Sequence, residues 1–153
     1  MSRGDIAKSY FLQGYNCAQA VLLAFEDAIG LDRDALLKLT LPFGGGMGRL
    51  RLTCGAVSGM VMALGLITGT SELSGSAKNQ QYVFVQELVK RFQNLNGSII
   101  CGELLTGKGI EAQTLPNAEK RSEGYYKKRP CADLCYDAAQ ILEEFLKEKS
   151  FLQ

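Results

Sequence analysis

The chain has 153 residues, 46% of them hydrophobic and 22% charged, a net charge of +1, and five cysteines but no histidine. This length fits one domain, residues 1–153, with a single core, and the near-neutral charge gives no general reason to expect nucleic acid or an acidic surface as partner. The missing histidines exclude Cys–His catalysis, mixed Cys/His zinc sites and histidine-ligated haem, so chemistry has to run largely on sulfur.

Helical periodicity and capping residues organise the chain from its start. Ile6 to Gln13 reads as a short amphipathic segment ended by Gly14. Asn16 reads as the N-cap of a helix from Cys17 to about Ile29, with Val21, Leu22, Phe25 and Ile29 on one face and Gly30 as its stop. Asp32 can cap a second short helix carrying Leu36, Leu37 and Leu39, closed by Pro42. Thr53 is the expected cap of an apolar central helix running to Gly69. That run is shorter than the ~20 residues a bilayer requires and follows Arg49 and Arg51, so no membrane insertion is expected. Gly55, Gly59 and Ala63 leave one face of this helix almost bare, to be covered by a neighbouring helix or to make room for a cofactor beside Cys54.

A long helix is expected from Glu72 to Asn94, with Tyr82, Val85, Leu88, Val89 and Phe92 as its stripe and Asn96-Gly97 as its break. Ser98 is expected to cap the turn into a short helix from Cys101 to Gly107. Thr106 to Arg129 mixes glycine, proline and charge. It suggests a surface excursion with one short helix near Asn117 to Ser122, and it is long enough to act as a flap over a site. The last helix should start near Pro130 and bury Leu134, Ala138, Ile141, Leu142 and Phe145. No alternating strand run is present, and Ile99-Ile100 is too short to count. The expected fold is an all-α bundle of about five to seven helices without significant sheet.

Four cysteines each open one of these helices: Cys17, Cys54, Cys101 and Cys131. A thiol there faces unpaired N–H groups and the positive end of the helix dipole, which favours the thiolate. The Met1 to Asp5 stretch lacks a signal-peptide layout, so a cytoplasmic, reducing location is expected, where cysteine clusters serve metal or redox roles. Four dispersed cysteines plus one more fit a four-thiolate site with a bystander better than paired disulfides. Any one of them alone is commonly just a small buried hydrophobe. Cys135 lies one turn after Cys131, in register with Ala138 and Leu142, and reads as an apolar filler. Lys127-Lys128-Arg129 would lower the Cys131 thiolate pKa or offset the charge of a thiolate-bound cluster.

The loop Phe43-Gly44-Gly45-Gly46-Met47-Gly48-Arg49 precedes Cys54. Consecutive glycines can align backbone N–H groups around an anion, and Arg49 could add charge. Yet no Gly-Lys-Ser/Thr ending and no preceding strand is present, so this is neither a P-loop nor a dinucleotide fingerprint. Close backbone approach, with Gly45, Gly46 and Arg49 beside a cofactor and N–H donors toward cluster sulfurs, is the better expectation.

These segments, together with Gly14-Tyr15-Asn16-Cys17-Ala18-Gln19-Ala20-Val21, Cys54-Gly55-Ala56-Val57-Ser58-Gly59, Cys101-Gly102-Glu103-Leu104-Leu105 and Cys131 ahead of Ala138-Ala139-Gln140, resemble the C_GCAxxG_C_C family of redox-active proteins over nearly the whole chain. The resemblance implies that the shared cysteines map onto Cys17, Cys54, Cys101 and Cys131, with Cys135 extra. It also implies genes near transporters or oxidoreductases, and an iron–sulfur centre proposed where related domains join haem modules. The haem part is absent from this chain.

Three functions stand in order. The first is an iron–sulfur cluster for electron transfer, [2Fe–2S] or [4Fe–4S], on Cys17, Cys54, Cys101 and Cys131. The second is a metal-free thiol–disulfide protein using Cys54 and Cys131, with Cys54 attacking. The third is a structural zinc module on the same four thiolates. The expected partner is a redox protein, an oxidoreductase or transporter-associated, and a homodimer is compatible with everything read so far.

Overall fold

Short-range capping sets where the helices begin. The computed structural model describes all residues, 1–153. It contains α1 (Arg3–Leu12), α2 (Cys17–Leu23), α3 (Arg33–Thr40), α4 (Gly55–Thr68), α5 (Gly75–Asn96), α6 (Cys101–Thr106), α7 (Glu123–Lys128) and α8 (Cys131–Glu148), with 3-10 turns at Glu26–Ala28 and Leu41–Phe43. Asn16 and Gln19 form a reciprocal capping box on α2, and Asp32 Oδ1 accepts the Ala35 N–H at 2.8 Å. Both caps were legible in the sequence. Ser2 and Asp5 form a second box that starts α1 three residues before its apolar pattern begins. Ser74 caps α5, and Gly97, at φ 88, ends it in the left-handed conformation that glycine adopts without strain.

The fold is all-helical, as expected, with eight helices rather than five to seven. The short helix expected near Asn117 to Ser122 forms instead as α7, after Ser122, which caps it. The helix expected to reach Ile29 stops at Leu23. Arg3 Nη1 donates to Ala24 O at 2.8 Å and to Asp27 Oδ1 at 2.6 Å, taking up a carbonyl that another helical turn would have used. Thr53 does not cap α4. It pairs instead with Ile100 in an isolated antiparallel bridge, and Cys54 becomes the N-cap residue. Ser98 does cap the turn into α6: its hydroxyl accepts the Ile100 N–H and donates to Glu103 in the first turn of the helix.

The buried side chains form one contiguous cluster. α1 lies along α8, α2 along α4, and α8 also touches α2, α4 and α5. The predicted stripe of α8, Leu134, Ala138, Ile141, Leu142 and Phe145, is buried, and Phe145 meets Phe84 of α5 edge-on at 5.1 Å. The buried Glu143 accepts the Arg3 N–H at 3.1 Å, joining α8 to the start of α1. No helix is long and apolar enough to cross a membrane.

The bare face of α4 is occupied chiefly by α2. A Cβ on Gly59 would lie 2.7 Å from Ala18 O and 3.1 Å from Val21 Cβ. Gly59→Ala should therefore cost about 1–3 kcal/mol in urea unfolding. Gly65, on the same helix, has nothing within 4 Å, and Gly65→Ala should instead stabilise by up to about 1 kcal/mol. Equal effects at both positions would show that α2 and α4 are not in contact there.

Candidate functional site

Two backbone devices bring three of the four helix starts together, and α8, packed on α2 and α4, adds the fourth at Cys131. Around the Thr53–Ile100 bridge, the Cys54 N–H donates to Ile99 O at 2.7 Å and the Cys101 N–H to Leu52 O at 2.6 Å, so α4 and α6 begin side by side. At Gly55 the backbone comes so close to α2 that a Cβ would sit 3.0 Å from Cys17 Cβ. The result is one cavity of about 60 Å³, lined by Cys17, Cys54, Cys101 and Cys131 together with Gly45, Gly46 and Arg51. Phe11, Leu104, Leu105 and Leu134 supply apolar wall. Such a volume holds a few waters.

All five cysteines are free thiols, and Cys54, Cys101, Cys131 and Cys135 are buried. The expectation that helix starts favour thiolates is overturned here, because burial outweighs the helix ends. Burial pushes Cys54 up to about 12 against the pull of the Ala56 and Val57 amides. Burial also raises Cys101, opposed by the Arg51 guanidinium. Interaction with Cys17 raises Cys131 first, with burial adding to it and Arg129 opposing. Cys17 is drawn down by Cys131, but Cys135 and burial more than reverse that. The thiol form is therefore favoured throughout, and all the cysteines but the half-buried Cys17 are covered. Their alkylation at pH 8 should run at least about tenfold slower in the native protein than in urea. Equal rates would mean that the cavity stands open to solvent.

Cys135 does not line the cavity. It is fully buried on α8, burial raises its pKa, and its Sγ–H donates to Cys17 O at 3.9 Å. Cys17 interacts with both Cys131 and Cys135, whereas Cys54 and Cys131, the pair expected for disulfide chemistry, share the cavity and influence each other through space.

Positive charge surrounds the sulfurs, largely from residues that periodicity did not mark. Arg51 is buried, with its Nε donating to Gln113 O at 2.8 Å and its Nη1 to Cys101 Sγ at 3.7 Å, and no carboxylate pairs with it. Arg121 donates to Phe11 O and Tyr15 O and stacks over the Phe11 ring at 4.2 Å, again without a carboxylate. Arg129 pairs with Glu119. Of the basic run, Arg129 reaches the cavity while Lys127 pairs with Glu123 at the surface. The segment from Thr106 to Arg129 is thus more than a surface excursion: Gln113 holds Arg51, and Arg121, Tyr125 and Arg129 close one wall.

Of the three residues expected beside a cofactor, Gly45 and Gly46 border the cavity and Arg49 does not. It lies in an adjoining groove, paired with Glu119 at 3.2 Å, and Arg51 holds the place beside sulfur. Gly45, Gly46, Met47, Gly48 and Arg49 all have φ between 58 and 74, a left-handed turn strained at its two non-glycine positions. The N–H groups of Gly44, Gly45 and Gly46 donate to no protein acceptor, and Gly46 is buried. Buried orphan donors are rare.

The side chains do not form a ready-made ligand set for a single ion. Chemically, however, the donor set suits a thiolate-bound cluster: four thiols face one space with unpaired backbone donors and a buried, uncompensated guanidinium beside them. This is an all-helical protein built around a buried thiol cavity.

The family model described as "Putative redox-active protein (C_GCAxxG_C_C)" matches residues 15–145, and the chain belongs to that family. No curated protein and no solved structure matches it.

Proposed function

We propose that Cys17, Cys54, Cys101 and Cys131 hold an iron–sulfur cluster and that the protein passes electrons through it to a redox partner protein in the cytoplasm. The observation that carries this reading is Arg51, a buried cation aimed at Cys101 sulfur with no carboxylate to balance it. A buried charge without a counterion is costly. Four thiolates around a cluster would supply the missing negative charge, and the cluster itself would supply one-electron chemistry. The chain's own residues have separate tasks. The cysteines ligate, the Gly46 N–H and Arg51 stabilise charge on sulfur, and Phe11, Leu104, Leu105 and Leu134 exclude water.

Anaerobic purification tests this directly. Stoichiometric iron and sulfide, with visible absorption that bleaches on reduction, is the expected result. A colourless protein that takes up neither on reconstitution would sink the reading, and stoichiometric zinc without a redox signal would replace it with the structural-zinc alternative.

A second reading draws support from Cys17 and Cys131 lining the same cavity, where each thiol is the strongest influence on the other's proton affinity. Two thiols would give up two protons and two electrons to an oxidised partner and form a disulfide. Alkylation and mass spectrometry across redox buffers should then find a reversible Cys17–Cys131 link. Its absence at every potential would remove this alternative.

A further inference from the structure

A second site lies against the thiol cavity without containing any cysteine. It is a groove of about 410 Å³ bordered by Gly44, Gly45, Arg49, Arg51, Arg121 and Arg129. Four arginines line it, and one carboxylate, Glu119, is paired there, held between Arg49 at 3.2 Å and Arg129, while Arg51 and Arg121 also donate to the carbonyls of Gln113, Phe11 and Tyr15. Glu119 comes from the loop before α7, and its side chain is 40% exposed while those of Arg49 and Arg129 are 15% and 8% exposed. The arginines are thus built into the wall, and the carboxylate reaches them from a solvent-facing loop. The Gly44 and Gly45 N–H groups add donors without protein acceptors.

We infer that this groove binds a small oxyanion, a phosphate, sulfate or carboxylate group, and that Glu119 occupies the anion's place until one displaces it. Guanidinium forks match the oxygen geometry of all three groups, and Arg–oxyanion pairs are among the stronger hydrogen-bonded contacts. The Glu119 clamp already displays that recognition with a carboxylate from the chain itself. Arg51, Arg121, Arg129 and Gly45 border both spaces, so a bound anion would sit one side chain away from the cysteines. That is where a substrate of a sulfur-based centre would have to lie. The groove needs nothing in the cavity to form, so anion affinity and iron content are independent measurements.

The test is a titration of the full-length reduced apo protein with inorganic phosphate, sulfate and acetate in turn, at ionic strength held constant with chloride, followed by amide NMR. Saturable shifts at Gly44, Gly45, Arg49 and Arg129 with at least one of them are expected, and the preferred anion tells a tetrahedral group from a carboxylate. Arg49→Gln should weaken binding about tenfold, and Glu119→Gln should strengthen it by a similar factor, since it removes the internal competitor. Lys127→Gln, outside the groove, should leave affinity unchanged. Non-saturating shifts with all three anions, or equal affinity in wild type and Glu119→Gln, would overturn the inference. Should Arg49→Gln fail to fold, the comparison of wild type with Glu119→Gln still decides it.

Discussion

Serine at any one of Cys17, Cys54, Cys101 or Cys131 is expected to reduce bound iron to less than about a tenth of the wild-type content after anaerobic reconstitution, because removing one ligand also leaves a cavity wall with an unmatched hydroxyl. Cys135→Ala should keep the iron and lose only about 1 kcal/mol of stability, the scale of one buried atom and one weak contact. The contrast rests on position: four sulfurs border the shared cavity, and the fifth is packed behind Cys17. Iron retained in all four serine variants would end the cluster proposal. Iron lost in Cys135→Ala alone, with the fold intact, would mean that the ligand set had been assigned to the wrong cysteine of α8.

The next largest effect belongs to Gly46→Ala. A Cβ there would lie 2.6 Å from Cys101 Cβ and 2.7 Å from the Leu52 N, at φ 74. Neither neighbour is the free end of a flexible side chain. Leu52 is tied to Cys101 through the Cys101 N–H bond, so the strain falls directly on the pair of helix starts. Left-handed strain and overpacking together should cost about 3 kcal/mol or more, with cluster incorporation falling in parallel. Gly109 offers a control, having φ 73 but open space around it. Gly109→Ala should pay only the backbone strain of about 1–2 kcal/mol and leave the site unaffected. Similar losses at Gly46 and Gly109 in denaturant unfolding would show that crowding at Cys101 is not what the loop's glycine serves.

Arg51 shows why part of the site could not be read from the chain. In sequence it is one of two arginines near an apolar helix, and Arg49, inside the glycine loop, looks the better candidate. Their roles are exchanged by the backbone: successive left-handed residues reverse the loop, and the Arg51 N–H bonds to Gly45 O while Arg49 faces the groove. Arg121 was hidden in a different way. It sits in a stretch without periodicity, and its position is held by carbonyls of Phe11 and Tyr15 more than a hundred positions earlier. The segment that reads as a surface excursion is drawn inward by these arginines, not by an apolar face.

The chain alone was sufficient for whatever depends on neighbours within a turn or so. Asn16 and Asp32 as caps, Gly97 as a stop, the apolar stripe of α8 and the placing of cysteines at helix starts all follow from hydrogen bonds and side-chain spacing across three or four residues. The tertiary structure alone decided that four of those starts meet, three of them through one bridge at Thr53 and Ile100 and one bare face at Gly55 and Gly59, the fourth through the packing of α8 on α2 and α4. It also decided the protonation of the sulfurs. A helix end is a local property and argues for thiolate, but burial is a property of the whole packing, and at Cys54 burial wins.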